Sequence, residues 1–169
     1  SRQAQRYGIF CKGYSSGSTA DKDLIGVCDM NETDKTAVNE SVLKDANKCG
    51  NPNVYSALTL AYLGDCVYEI YVRSHLTEDG NHKVNELHRA ATKFVCAKAQ
   101  AEFYHKIKDI LSEDEDAAFR RGRNTKSHPP KNADMSDYKI ATGVETLIGY
   151  LYILGRVGRI SELMKKLFE

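Results

Sequence analysis

Apolar residues recur at helical spacing through most of the chain after residue 53, and the first such stretch is the most apolar. From Val54 to Leu76, two neighbouring apolar stripes cover nearly the whole circumference of a helix, a pattern that predicts a helix at the centre of its domain. The first stripe contains Tyr55, Leu58, Tyr62, Cys66 and Ile70, and the second contains Leu60, Leu63, Val67 and Tyr71.

The same spacing predicts four further helices, at about residues 84–111, 112–126, 136–154 and 158–168, the first of them bent near residues 95–96. Ser112 and Glu115 form a capping-box pattern that opens one helix, and Gly155 is a typical terminator of another. Pro129 and Pro130 are expected to stop the helix that precedes them. Because no segment alternates strictly between apolar and polar residues, the sequence predicts an all-α bundle of five helices.

Residues 1–52 differ from the rest because they are polar, with only short apolar runs. Such a segment buries too little apolar surface to order itself, so we predict a disordered extension over 1–52 and a folded domain over 53–169. The extension begins with Ser1, and it carries Arg2, Arg6 and Lys12 but no acid before Asp21. This composition is typical of a transit-peptide remnant.

Composition excludes several classes of protein. The 24 Lys and Arg residues nearly cancel the 23 Asp and Glu residues, so net charge identifies no partner. The five cysteines lack CxxC spacing, which argues against a zinc site or a disulfide framework, and Cys66 and Cys96 are expected to be small core residues. The apolar runs are too short for a membrane span.

Two acids, Asp65 and Glu145, lie inside the two most apolar helices, where a carboxylate is unfavourable unless it is paired, hydrated or bound to metal. Their neighbours are small, which would leave room for a hydrated Mg²⁺ ion: Ala61, Gly64, Ala141, Thr142 and Gly149. The alternative is that each acid reaches solvent or pairs with an arginine such as Arg73 or Arg89. Glu69, one turn after Asp65, is a candidate either for a supplementary role at the metal or for pairing with Lys or Arg.

A basic segment lies between Arg120 and Lys139, where six Lys or Arg residues face only two acids, Asp134 and Asp137. A polyphosphate backbone is the natural partner of such a segment. The alternative is a solvated helix end that complements its dipole, which explains two or three basic residues but not their continuation past Pro129 and Pro130.

Five blocks of sequence, in this order, resemble the Mini-III group of the ribonuclease III family, which lacks a double-stranded-RNA-binding domain. The signature helix of that family matches residues 60–69, centred on Leu63, Gly64 and Asp65. The other blocks are residues 87–92, 97–101, 120–124 and 144–150. The resemblance covers about residues 54–169.

The resemblance implies an all-helical homodimer that cleaves double-stranded RNA and matures large-subunit ribosomal RNA precursors, with a ribosomal protein as a further expected partner. It makes Asp65 and Glu145 the catalytic metal ligands for Mg²⁺, with Mn²⁺ as a substitute. The RNA-binding residues it implies are Arg120, Arg121, Arg123, Asn124, Lys126 and Lys131. Where full-size relatives carry two more carboxylates, this chain has Ala61 and Thr142, which argues against a two-metal mechanism and leaves the number of metal ions per site open.

Two further predictions concern the location of the protein and its alternative functions. The polar extension and the missing initial Met favour an imported chloroplast protein, with the bacterial cytoplasm as the alternative. The competing functions are a catalytically inactive RNA-binding dimer that acts in ribosome or RNA-processing assembly, and a helical protein-interaction module.

Overall fold

The computed structural model describes residues 50–126 and 134–169, and this part of the chain contains six α-helices and no β-strand. The helices are α1 (Ala57–His75), α2 (Val84–Val95), α3 (Ala97–Ile107), α4 (Glu113–Arg123), α5 (Met135–Ile153) and α6 (Val157–Phe168), with short 3-10 turns at Pro52–Val54 and Lys108–Ile110. The all-α prediction is confirmed. None of the described helices is both long and apolar enough to cross a membrane.

Helix α5 lies at the centre of the bundle, where it packs against α1, α3, α4 and α6. Its side chains are buried on every side, and Val144, Leu147, Ile148 and Leu151 are fully inaccessible to solvent. Because α5 has neighbours on every side, its sequence is apolar around the whole circumference. The central helix is therefore α5 and not α1.

Helix α1 buries only one of its two apolar stripes. Leu60 and Val67 of the second stripe are buried, whereas Leu58, Tyr62 and Ile70 of the first are 46%, 48% and 44% exposed. The prediction that α1 is buried all round is wrong for the first stripe, because α5 packs against the other side of the helix. We call Leu58, Tyr62, Cys66 and Ile70 the exposed stripe.

The predicted helix over residues 84–111 is two helices that meet at Cys96. The backbone of Cys96 is extended, with φ −73° and ψ 153°, so the hydrogen-bonding ladder ends there. The hydroxyl of Tyr68 on α1 donates to the carbonyl oxygen of Phe94 over 3.1 Å, and this bond satisfies one of the acceptors freed by the break. Cys96 is exposed, as is Cys66, so the prediction that both are core residues is wrong.

The predicted helix signals are confirmed at two ends. Ser112 and Glu115 form the capping box of α4, with Ser112 N donating to Glu115 Oε2 over 2.9 Å. Gly155 follows α5 with a φ of +69°, a left-handed conformation that favours glycine.

Helix α4 ends at Arg123 with Asn124 as its cap, before the predicted stop at Pro129. Residues 127–133, including the two prolines and Lys131, lie outside the described residues. Residues 1–49 lie outside them as well, so the predicted disorder of the extension stays a prediction. Pro52, which we assigned to the extension, is buried.

Candidate active site

The site is built where α1 crosses α5, and the two backbones touch at this crossing. A Cβ atom added to Gly64 would lie 1.8 Å from the backbone oxygen of Glu145, and one added to Gly149 would lie 2.1 Å from that of Leu60. Both distances are far below van der Waals contact, so only glycine fits at these positions. Asp65, the residue after Gly64, therefore lies at the point where α1 meets Glu145.

The side chains of Asp65 and Glu145 are both shielded from solvent, Glu145 more completely than Asp65. The side chain of Glu145 is 3% exposed, and the adjacent Val144 and Thr146 are fully buried. Asp65 is half-buried, and its Oδ1 atom is buried. Because an ionised carboxylate in such surroundings is costly without a compensating charge or donor, this crossing is a chemically distinctive point of the core.

Tyr68 on α1 responds to the charge of Glu145 on α5. It lies one turn after Asp65 on α1 and is completely buried, and burial raises the pKa of its hydroxyl, followed by the influence of Cys96 and Glu145. The carboxylate of Glu145 is thus near enough to act on a side chain of the helix that bears Asp65. Burial also raises the pKa of the Cys66 thiol, and Asp65 and Glu69 raise it further.

Asp65 and Glu145 would be the protein carboxylates available to a metal ion bound at this crossing. Within residues 50–126 and 134–169, no group of three or more His, Cys, Asp or Glu side chains is arranged to hold a metal ion. Two carboxylates from facing helices match the preference of Mg²⁺, which takes few protein oxygens and keeps several waters.

The small residues beside Asp65 and Glu145 have a different role from the one predicted from the sequence. We expected them to leave room for a hydrated ion, but Gly64 and Gly149 are filled by direct contact between the helix backbones. Ala61, Ala141 and Thr142 are buried in the core. Thr142 donates its hydroxyl to the carbonyl oxygen of Tyr138 over 3.1 Å within α5.

Glu69 is engaged by an arginine on its own helix. Arg73 Nη2 lies 2.6 Å and Arg73 Nε 2.9 Å from Glu69 Oε2, a pairing one turn along α1. This is the alternative role that the sequence left open for Glu69. A supplementary role at the metal stays a prediction.

The predicted RNA-binding residues at the end of α4 differ in their surroundings. Arg120 pairs with Asp116, one turn earlier on the helix. Arg121 points its Nη2 atom at the carbonyl oxygens of Pro52 and Tyr55, both 3.4 Å away, and its Nε atom is buried. Arg123, Asn124 and Lys126 are exposed, and Lys131 lies outside the described residues.

The basic end of α4 packs against α5 beside Glu145. A Cβ atom on Gly122 would lie 2.2 Å from Oγ1 of Thr146, so the side chain of Thr146 fits there only because residue 122 is a glycine. Thr146 Oγ1 also lies 2.7 Å from the carbonyl oxygen of Thr142 and 3.2 Å from that of Ala57 at the start of α1. Sequence reasoning missed Thr146, because a threonine in a helix has no distinctive signal until its neighbours are known.

Comparison with known sequences decides the family. The sequence profile of the ribonuclease III domain matches residues 58–156, more than half of the 169 residues, and the match contains both Asp65 and Glu145. The chain belongs to the ribonuclease III family. The prediction of an endoribonuclease that acts on RNA is confirmed at this level, and the family argues against the protein-interaction module.

The chain is similar to bacterial Mini-ribonuclease 3 proteins. The Mini-ribonuclease 3 of Symbiobacterium thermophilum is 47% identical over 119 residues, which are 70% of this chain and 92% of that protein. The Mini-ribonuclease 3 of Desulfitobacterium hafniense is 51% identical over 105 residues, 62% of this chain and 67% of that protein. The predicted resemblance to the Mini-III group is confirmed.

A solved structure supports the same fold. A crystal structure of a Fusobacterium nucleatum protein matches with a TM-score of 0.61 and 32% identity, over 66% of this chain and 89% of that one. The helical arrangement of the ribonuclease III domain is therefore shared with an experimentally determined relative.

Proposed function

We propose that this ribonuclease III domain is a Mg²⁺-dependent endonuclease for double-stranded RNA, with Asp65 and Glu145 as metal ligands. The observation that carries the proposal is the contact between Gly64 and the backbone of Glu145, which sets acids from two separate helices at one crossing. Glu145 is buried and Asp65 is half-buried, so a cation bound between them would stabilise both carboxylates.

Asp65 and Glu145 would bind and orient the ion, and Mn²⁺ is the expected substitute for Mg²⁺ because it accepts the same oxygen ligands. When bound, Mg²⁺ supplies positive charge to the scissile phosphate and activates a water molecule as the nucleophile. The presence of Ala61 and Thr142 at the other two acidic positions supports one ion per site, because two adjacent dications would have too little anionic charge around them.

The basic end of α4 would hold the RNA. Arg123, Asn124 and Lys126 are exposed there, and Gly122 packs on Thr146, the residue after Glu145. Phosphate and sugar contacts from this segment, together with Arg120 and Lys131, would position a duplex without reading its bases. Substrate choice would then follow A-form shape, and RNA affinity would fall steeply with salt.

The exposed stripe supports a homodimer. Leu58, Tyr62 and Ile70 are each more than 40% exposed, and Cys66 between them is exposed as well. Apolar side chains in a contiguous stripe on a helix surface are typical of an interface, and a self-complementary surface on a second copy would cover them. Since Asp65 is on the same helix, pairing of two copies would fix the spacing between two active sites.

Three narrower expectations belong to the proposal: maturation of large-subunit ribosomal RNA precursors, a ribosomal protein as partner, and import into the chloroplast. Mapping of cleaved ends on ribosomal precursor RNA, with and without ribosomal proteins, tests the first two. A fluorescent fusion of residues 1–52 expressed in plant cells tests the third. The similar proteins are bacterial, which fits the alternative location in the bacterial cytoplasm.

The decisive experiment compares paired substitutions on a labelled RNA duplex. Asp65→Asn and Glu145→Gln should each abolish Mg²⁺-dependent cutting while duplex binding in Ca²⁺ persists. Asp79→Asn and Glu78→Gln, which make the same chemical changes in the exposed turn after α1, should cut like the parent. Unchanged cutting by the first pair would remove the metal assignment. Duplex binding without cutting by the unaltered protein would favour the inactive RNA-binding dimer instead.

A further inference from the structure

Thr146 lies where three helices meet. Its side chain is fully buried on α5, one residue after Glu145. It fills the space over Gly122 of α4, and its hydroxyl faces the carbonyl oxygen of Ala57 in the first turn of α1. The residue thus contacts both the helix that carries Asp65 and the helix that carries the basic segment.

The hydroxyl of Thr146 supplies a directional bond that the glycine contacts cannot. Gly64 and Gly149 bring the backbones of α1 and α5 together, and this sets the distance between the helices. Backbone surfaces in contact leave the helices freer to slide along each other than a hydrogen bond does. The single hydroxyl proton of Thr146 is shared between the carbonyl oxygen of Thr142 on its own helix, 2.7 Å away, and that of Ala57 on α1, 3.2 Å away, so the longer of the two contacts links α5 to α1.

Register matters at this crossing because the two predicted ligands lie on different helices. A slide of one residue along a helix is about 1.5 Å, whereas Mg²⁺ demands oxygens at about 2.0–2.1 Å with little tolerance. A slide of even a fraction of a residue would change the separation of the Asp65 and Glu145 carboxylates by more than such a site accepts.

We propose that Thr146 is a positioning residue that fixes the axial register of α1 against α5 and thereby tunes the affinity of the Asp65–Glu145 pair for a divalent cation. This inference rests on the proposed function, since it assumes that the pair binds a metal. Thr146 does not touch substrate or metal in this assignment. It acts through the position of the adjacent Glu145 relative to the helix that bears Asp65.

The test measures metal binding directly, without RNA and without cleavage. Mn²⁺ affinity is determined by the loss of the free-ion electron paramagnetic resonance signal for the parent, Thr146→Val and Thr146→Ser. Valine keeps the branched shape and removes the hydroxyl, whereas serine keeps the hydroxyl. Thr146→Val should weaken Mn²⁺ binding on the order of tenfold, because a small change in the separation of two ligands lowers the affinity of a metal site, and Thr146→Ser should stay within about twofold of the parent.

Tyr71→Phe serves as the matched control. The hydroxyl of Tyr71 on α1 lies 2.9 Å from that of Ser161 on α6, so the substitution removes another bond between helices, away from the Gly64–Glu145 contact. It should lower the melting temperature while Mn²⁺ affinity stays unchanged. If Thr146→Val lowers the melting temperature but binds Mn²⁺ like the parent, Thr146 is merely structural and the proposal is overturned.

Two further measurements keep the proposal open to refutation. If Thr146→Val fails to fold, Thr146→Ala replaces it, because alanine removes the hydroxyl without adding an atom, and the same loss of affinity is expected. Weakened binding by a folded Thr146→Ser variant, as severe as that of Glu145→Gln, would also overturn it. If the parent protein itself binds Mn²⁺ no better than Glu145→Gln, the proposed function fails, which is a result distinct from failure of the Thr146 assignment.

Discussion

Gly64 of α1 lies directly against the backbone oxygen of Glu145 on α5, so closely that any side chain at residue 64 would overlap it. It makes the distance between the two helices at this crossing a property of their backbones.

Replacing Gly64 by alanine should therefore be severe. The new Cβ would meet backbone atoms, which cannot rotate away, so the helices must separate and leave voids along the crossing. We expect a loss of roughly 3 kcal/mol in the free energy of unfolding, or failure to fold, together with loss of cutting. Gly158→Ala is the matched control, because nothing lies within 4 Å of a Cβ there, and helix propensity predicts that it stabilises α6 slightly. Denaturant unfolding compares the two, and equal stabilities would contradict the close approach.

The buried ion pair between Glu115 and Arg159 should control acid stability. Glu115 is 2% exposed, and Arg159 Nε and Nη2 donate to its two carboxylate oxygens over 2.9 Å each. Burial alone would raise the pKa of Glu115, but the hydrogen bonds from Arg159 and from the backbone of Ser112 outweigh it and lower the pKa below 4.5.

Because the pKa is depressed in the folded protein, the pair stabilises the fold above the ordinary glutamate value, and this contribution is lost as the pH falls through the lowered value. Glu115→Gln should cost about 2 kcal/mol at neutral pH and flatten the fall of stability below pH 4.5. Thermal unfolding across this pH range measures both effects. Glu162→Gln, on the exposed carboxylate that Arg159 also contacts, should have a much smaller effect. If Glu115→Gln lost stability below pH 4.5 as steeply as the parent protein, this account would be contradicted.

Arg121 and Arg123 both belong to the predicted RNA-binding segment, but their substitution should change different properties. Substitution of Arg121 should lower the stability of the fold, and substitution of Arg123 should lower the affinity for RNA. Arg123 is exposed, so Arg123→Ala should lower duplex affinity and reduce the slope of log affinity against log salt by about one, with little change in stability. Arg121 faces the carbonyl oxygens of Pro52 and Tyr55, so Arg121→Ala should lower the melting temperature. Binding titrations at several salt concentrations, combined with thermal melts, distinguish the roles. A stable Arg121→Ala variant with the larger binding defect would reverse the assignment.

Charge placed in the exposed stripe should dissociate the proposed dimer. Tyr62→Glu or Ile70→Glu would bury an unpaired carboxylate between two copies, which is strongly unfavourable. Sedimentation should then show a monomer where the parent shows a dimer, with the helical content retained. Val84→Glu, at a 65% exposed apolar residue of α2, should leave the parent's assembly state unchanged. If the parent protein sediments as a monomer, the exposed stripe is not a dimer interface.

Local signals in the sequence were enough for the helical class, for the Ser112–Glu115 cap and for the terminator Gly155, because each depends on residues within one turn of one another. Both acids could also be singled out, since a carboxylate in an apolar helix is anomalous wherever the helix goes. Periodicity did not reveal which helix is central, because an apolar stripe reads the same whether it faces a core or, as in the exposed stripe of α1, solvent.

Only the tertiary structure decided what the small residues do. The sequence suggested that Gly64 and Gly149 leave space for an ion, but in the structure they allow the two helix backbones to touch. Nothing in the sequence indicated a special role for Thr146, which contacts residues of three helices. The break at Cys96 is likewise accompanied by a contact from another helix, because the hydroxyl of Tyr68 on α1 donates to the carbonyl oxygen of Phe94. A residue's helical tendency comes from its own neighbours along the chain, whereas its contacts come from residues far away in sequence, and their identity is settled only when the helices pack.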